Sequence, residues 1–234
     1  MKVRLKEKRE IAKETLYLEF DLLGQELNFE PGQFFQLTLL NPTYSDERGN
    51  SRYLGFANNP TEKETISTAT RYGTSAFKKS LLELPIGTET EIGSIGGHGI
   101  LNETEKPKVL IAGGIGVVPF MSILRYAKTQ SLADNLTLIY ANKNRESAVF
   151  FDELENMAKE NNQFKFIPIM LHDENWTGEK NRIDQQFIKK YFENPNENLY
   201  FVTGAQKFVL PVFQALKDTG IDASNITIEI FTGY

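Results

Sequence analysis

The sequence has 234 residues, with 26 Lys and Arg against 31 Asp and Glu, a net charge of −5. Cysteine is absent and histidine occurs only as His98 and His172, which excludes disulfides, thiol nucleophiles, thiolate-held iron–sulfur clusters and a His- or Cys-rich metal site. The acidic balance argues against nucleic-acid binding, no apolar run reaches the ~18 residues of a membrane span, and MKVRLKEKRE lacks a signal peptide's apolar core, so a cytoplasmic location is expected.

The first hundred residues read as strands. The first thirteen carry Lys2, Arg4, Lys6, Lys8, Arg9 and Lys13 against Glu7 and Glu10, a net +4. On a strand face such a run reads as protection of a sheet edge; the sharper alternative is a docking surface for an acidic electron carrier. Thr15–Phe20 alternates apolar Leu16 and Leu18 with outward positions, and Phe34–Leu40 and Thr65–Arg71 are β-rich runs. Pro31-Gly32, Asn41-Pro42 and Asn59-Pro60 punctuate them as turns. Ser75 is an N-cap for one helix, AFKKSLLEL, whose Phe77, Leu81, Leu82 and Leu84 form one face. Short antiparallel strands with a single helix predict a small Greek-key-type β-barrel over residues 1–104.

After the charged linker Glu105–Lys108 the rhythm changes. Strands are expected at Val109–Ala112, Leu136–Ala141, Phe164–Leu171, Leu199–Thr203 and Ile226–Phe231. Helices are expected at Pro119–Lys128, Phe151–Glu160, Asp184–Phe192 and Lys207–Thr219, the last starting late or kinking at Pro211. This alternation predicts a five-stranded parallel α/β domain over 105–234, with helices on both faces.

The strongest chemical signal is VLIAGGIGVVPF, Val109–Phe120, where a buried strand ends in Gly113, Gly114, Ile115 and Gly116 and a helix follows Val117. Glycines there let the backbone approach a phosphate or ring, and a helix start offers free N–H groups. Pro119 stands where a dinucleotide fingerprint has its third glycine, so the ordinary G-x-G-x-x-G reading fails. A tight turn needing glycine only for its dihedrals is the competing account.

GGIGVVPFMSIL resembles the pyridine-nucleotide motif of the ferredoxin–NADP reductase family, in which a flavin barrel precedes a nicotinamide domain. Further segments match in the same order. DERGNSRYLGFANNPTE is similar to the family's flavin motif, and TRYGTSAFKKSLLELPIGTETEI to its pyrophosphate turn and helix. LIYANKNRESAVFFDEL resembles the second nucleotide strand and loop. YFVTGAQKFVLPVFQALKDTGI resembles the Cys-Gly-Pro motif with its helix, and ITIEIFTGY the acidic, aromatic C-terminus.

The resemblance implies FAD and NADPH or NADH as cofactors, with hydride transfer to flavin N5. Electrons then pass to or from a separate acceptor such as ferredoxin, flavodoxin or a small oxidant. It assigns Arg52 to the flavin pyrophosphate, and Tyr53, Leu54 and Gly55 to the flavin motif. Leu54 replaces a stacking Tyr, and Gly55 replaces a Ser or Thr at N5. Ala69, Thr70 and Arg71 match the strand along the flavin; Gly73, Thr74 and Ser75 match the pyrophosphate turn. Ser75 alone reads better as a structural cap, and Arg71 beside it tilts the balance toward a phosphate. Thr203-Gly204 takes the place of Cys-Gly, putting Thr203 at the hydride-transfer point. Glu229 and Phe231 share a strand face as an orienting or proton-relay carboxylate and a displaceable lid. Tyr234 extends toward the adenine or over the flavin. Lys143 and Arg145 follow the second nucleotide strand with no acid before Glu146, a modest lean toward NADP. The alternatives are an electron-transfer subunit active only in a larger complex and a non-catalytic flavin or nucleotide module, the latter favoured by Leu54, Gly55 and Thr203.

Overall fold

The structure is a computed structural model that describes residues 1–97, 99, 106–130 and 135–231. These residues form two compact units, one of 1–97 and 99 with 118–130, the other of 106–117 with 135–231.

The first unit is an antiparallel sheet of β1 (Lys2–Ala12), β2 (Thr15–Asp21), β3 (Phe34–Leu39), β4 (Ser51–Gly55), β5 (Thr65–Arg71) and β6 (Glu89–Gly96), ordered β4-β3-β6-β1-β2-β5. Burial alternates along β3 and the first half of β1 but is continuous along most of β2 and β5, and Val3, Leu5, Leu18, Phe20, Phe35, Leu37 and Ile92 make one core. Helix α1 (Ala76–Glu83) adds Phe77 and Leu81 to it. The two edge strands are stitched by Ala57 N donating to Ser67 O at 2.8 Å and by Asn58, whose side chain accepts from Ser67 N and donates to Thr65 O.

The basic first strand is not at an edge: β1 lies between β6 and β2. The ladder needs its backbone on both sides, so its charges serve the outer face instead. Lys2 and Arg4 reach Glu89 at 3.5 and 3.4 Å, and Lys6 reaches Glu19 at 2.9 Å. Lys8 Nζ donates to the carbonyls of Leu82 and Leu84 at 2.7 and 2.6 Å, satisfying the open C-terminal end of α1.

The second unit is an all-parallel sheet, ordered β11-β10-β7-β8-β9, of β7 (Lys108–Gly113), β8 (Leu136–Asn142), β9 (Phe164–Met170), β10 (Leu199–Gly204) and β11 (Ile226–Ile230). Burial on both faces explains the uninterrupted apolar run of β7. Its core joins Val109, Ile111, Ile139, Ile167 and Val202 to helices α4 (Gln185–Tyr191) and α5 (Gln206–Asp218); α3 (Phe151–Glu160) buries Phe151, Leu154 and Met157. Helix α5 does not start late. It begins after Ala205 and runs through Pro211, whose missing N–H falls opposite only the first-turn carbonyl of Lys207.

A 3₁₀ turn, Gly114–Val117, leads from β7 into helix α2 (Val118–Thr129). Although it follows β7, α2 groups with the antiparallel unit. Arg125 Nη1 donates to Ala57 O at 2.7 Å, and Asn59 Nδ2 donates to Thr129 Oγ1 at 2.8 Å. No helix among the described residues is long and apolar enough to cross a membrane.

Candidate functional site

In the antiparallel unit Arg52, Arg71, Gly73, Thr74 and Ser75 lie around the start of α1. Ser75 is the N-cap, its hydroxyl accepting from Lys78 N at 3.4 Å, and Gly73 and Thr74 lie exposed before it. Arg52 enters from β4 with its guanidinium 5.2 Å from the centre of the Phe77 ring. Its Nη1 donates to the carbonyls of Arg48, Gly49 and Ser51, whereas its Nη2 is buried with no hydrogen-bond partner. Arg71 Nη1 is anchored on Lys13 O and Thr15 Oγ1 at 3.0 and 2.9 Å. Lys78 folds back so closely that a Cβ on Gly73 would meet its Cδ at 2.6 Å. Burial, followed by the charges of Arg48, Arg71 and Arg52, pushes the Lys78 ammonium down to about 8. A cluster of four cations around a helix start, one with a buried donor unmatched, suits a multiply charged anion. The orphaned Arg52 nitrogen fits the diphosphate of FAD.

On β4, Leu54 pairs with Phe35 across the ladder and joins the barrel core. Strand alternation puts Tyr53 outside instead, 54% exposed, its ring edge-on to Phe34 and its hydroxyl 3.2 Å from Ser94 Oγ. Gly55 is buried, and a Cβ there would meet Pro119 Cδ at 2.8 Å. A serine at this position requires Pro119 to move, which explains the glycine. On β5, Ala69 and Thr70 are buried, opposite Tyr17 and Leu16.

In the parallel unit the glycine turn sits at the C-terminal edge of the sheet. Gly114 has φ +54°, and a Cβ on Gly116 would come within 2.6 Å of Thr203 O, a main-chain atom. Gly113 faces the Phe208 ring just as closely, at 2.5 Å, so the turn needs glycine for close packing as well as for dihedrals. Gly113 and Gly114 keep partial exposure while Ile115, Gly116 and Val117 are buried. Thr203 is buried, and its hydroxyl donates to Gly116 O at 2.6 Å. That proton is committed to the turn, so Thr203 acts first as a brace between β10 and the glycines. Gly204 O accepts from Phe231 N at 3.0 Å, and Glu229 stands opposite Thr203 in the parallel ladder. Tyr234 lies outside the described residues.

Lys143 is exposed after β8. Arg145 is not an open cation: its guanidinium pairs with Asp152 and lies 3.9 Å over the Phe151 ring, and its N–H donates to Asp173 Oδ2 at 3.0 Å. These two carboxylates partly offset the charge of Arg145. Sequence reasoning missed Asp173, Lys78 and Asp46. Asp173 follows β9 at the sheet's C-terminal edge, a position topology alone could have flagged. Lys78 stands three residues after the cap, on the turn that folds back over Gly73. Asp46 opens the segment similar to the flavin motif, but only the fold brings it to the start of α1. Among the described residues no group of three or more His, Asp or Glu side chains is placed to hold a metal.

Residues 110–212 match the family described as the oxidoreductase NAD-binding domain. The chain is 28% identical to sulfhydrogenase 1 subunit gamma of Pyrococcus furiosus, over 89% of this chain and 70% of that one. It is 24% identical to reductase component 1 of terephthalate 1,2-dioxygenase from Comamonas sp., over 89% of this chain but only 61% of the relative. The fold superposes on a ferredoxin NADP+ reductase from Neisseria gonorrhoeae, solved with FAD and NADP, at a TM-score of 0.82 and 18% identity, covering 98% of both chains. An antiparallel barrel-like sheet and a parallel α/β unit thus give the chain the fold of that ferredoxin NADP+ reductase, with residues 110–212 similar to the oxidoreductase NAD-binding domain.

Proposed function

We propose that the chain is a flavoprotein reductase that binds FAD at the α1 entrance and NADH or NADPH at the glycine turn, moving electrons between nicotinamide and a separate acceptor. The observation that carries this reading is the buried, partnerless Nη2 of Arg52 beside the start of α1, in a chain whose next unit matches an NAD-binding domain. Bound FAD would supply the redox chemistry, hydride acceptance and single-electron release. The protein's part is to bind and orient. Arg52, Arg71, Lys78 and the turn Gly73–Ser75 hold the diphosphate, with Tyr53 and Gly55 on the flavin side. The glycine turn, braced by Thr203, and Gly204 receive the nicotinamide nucleotide, with Lys143 and Arg145 at its loop. Glu229 orients the nicotinamide or relays a proton through its carboxylate, and Phe231 is a displaceable cover.

Anaerobic stopped-flow mixing with NADH and with NADPH tests this. Bleaching of bound flavin is expected with at least one of them, followed by reoxidation with ferredoxins, flavodoxins or ferric chelates. Flavin that stays oxidised with both refutes the enzyme reading and leaves a non-catalytic binding module. The same traces on Glu229→Gln and Phe231→Ala test those roles: the first slows reduction, and the second tightens nicotinamide binding.

A second reading is an electron-transfer subunit that turns over only within a larger assembly. It is favoured by the names of the relatives, a subunit and a reductase component. Acceptor reduction appearing only with a co-purified partner supports it.

A further inference from the structure

The start of α1 is already engaged by the chain itself. Asp46, in the loop between β3 and β4, accepts a hydrogen bond from Ala76 N at 2.9 Å through Oδ2 and from Arg48 N at 3.0 Å through Oδ1. Ala76 is the first residue of the helix, so the carboxylate takes the leading free N–H of α1. That contact is the chief reason its carboxyl sits below the usual carboxylate range.

Yet Asp46 satisfies the site only in part. Its Oδ1 lies 3.9 Å from Arg52 Nη2, beyond hydrogen-bond reach, which leaves that nitrogen without a partner. That one carboxylate interacts with the charges of Arg52 and Arg48, while Lys78 beside them is pushed down by burial first and then by Arg48, Arg71 and Arg52. The site is built for an anion larger and more highly charged than the one holding it. The loop carrying Asp46 has a separate footing on the helix, since Tyr44 N donates to Ser80 Oγ at 2.9 Å and Tyr44 O accepts from it. Asp46 can therefore leave Ala76 without detaching the whole loop.

We propose that Asp46 is an internal ligand of the flavin-diphosphate site, competing with the diphosphate for Ala76 N–H and Arg52, so that it sets the affinity for FAD and withdraws from α1 when FAD binds. The inference rests on the flavin reading above. It predicts that this carboxylate, which a structural cap would retain for stability, works against the ligand.

The test titrates the apoprotein with FAD and with riboflavin, which lacks the phosphates, following flavin fluorescence. Asp46→Asn keeps an oxygen for Ala76 N–H and removes the charge. It should bind FAD about tenfold more tightly than wild type, the effect of removing one like charge at contact range, with riboflavin unchanged. Glu47→Gln, the neighbouring charge, should leave both unchanged. Equal or weaker FAD binding by Asp46→Asn overturns the proposal, as does equal tightening by Glu47→Gln. If Asp46→Asn does not fold, Asp46→Ser keeps a capping hydroxyl and carries the same comparison. If wild type binds both flavins and the variants change nothing, the role of Asp46 falls and the flavin reading stands. If no protein binds FAD or riboflavin, both fall.

Discussion

The entrance of α1 and the glycine turn after β7, the two proposed sites for a phosphate-bearing ligand, are built from opposite materials. At α1 the recognition is carried by charge: Arg48, Arg52, Arg71 and Lys78 surround exposed Gly73 and Thr74, and Asp46 holds the first N–H. From Gly113 to Val117 there is no ionisable side chain, and three of the five residues are buried. There a ligand would meet main chain whose shape is fixed by Gly116 against β10 and by the Thr203 brace. A site made of side-chain charge can be tuned by a single residue, by salt or by pH without touching the fold. A site made of packed backbone offers position and little adjustment, because the residues that shape it also hold the sheet together.

The largest expected effect separates the two. Gly116→Val forces a Cβ onto main-chain atoms of Thr203 that cannot swing away. It should cost about 2–4 kcal/mol in chemical unfolding and abolish NAD(P)H binding, while FAD titration of the folded fraction is unchanged. Retained nicotinamide binding would break the claim that backbone shape is the recognition element. Arg52→Gln acts in the other direction. Loss of a charge-assisted contact should weaken FAD binding about 10- to 100-fold in a fluorescence titration and leave nicotinamide affinity alone.

The same contrast decides what could be read from sequence. The parallel unit was legible almost element by element, because buried parallel strands are continuous apolar runs and Asp184 caps α4 where the periodicity begins. Pro211 misled, since a proline near a helix start removes a bond that the next turns do not need. In the barrel, β1 gave its charges but not its interior place, because order in an antiparallel sheet is set by partners far away in sequence. The burial of Leu54 and exposure of Tyr53 have a related origin: which side of β4 faces the core is fixed by its register with Phe35 and Gln36. At the site, Arg52 and Ser75 were visible as motif residues. Asp46, Lys78 and Asp173 enter through loop geometry and burial, which no local pattern encodes.

Thr203→Val sharpens the comparison at intermediate size. The hydroxyl bond to Gly116 O is the side-chain tie between β10 and the glycine turn, and losing it leaves a buried carbonyl short of a donor. Stability should fall by about 1–2 kcal/mol, with flavin reduction slowed only as far as the turn loosens. Full stability combined with a large loss of hydride-transfer rate would instead put the hydroxyl on the nicotinamide.

The smallest effect is the pH response of the charged site. Lys78 titrates near 8 in the folded protein, against 10.5 for an ordinary lysine, because burial and then Arg48, Arg71 and Arg52 disfavour its charge. Between those values the unfolded chain holds a proton that the folded protein has released, so this group makes stability rise with pH across that window. A bound diphosphate reverses the local field and pulls the ammonium back toward its charged form, so FAD binding takes up a proton above pH 8. FAD affinity should therefore decline several-fold from pH 7.5 to 9.5, and the slope should flatten in Lys78→Met and in 0.5 M salt. NAD(P)H affinity at the glycine turn should stay level over the same range. A parallel decline there would mean that the backbone site also depends on an ionisable neighbour, and the division between charge and shape would no longer hold.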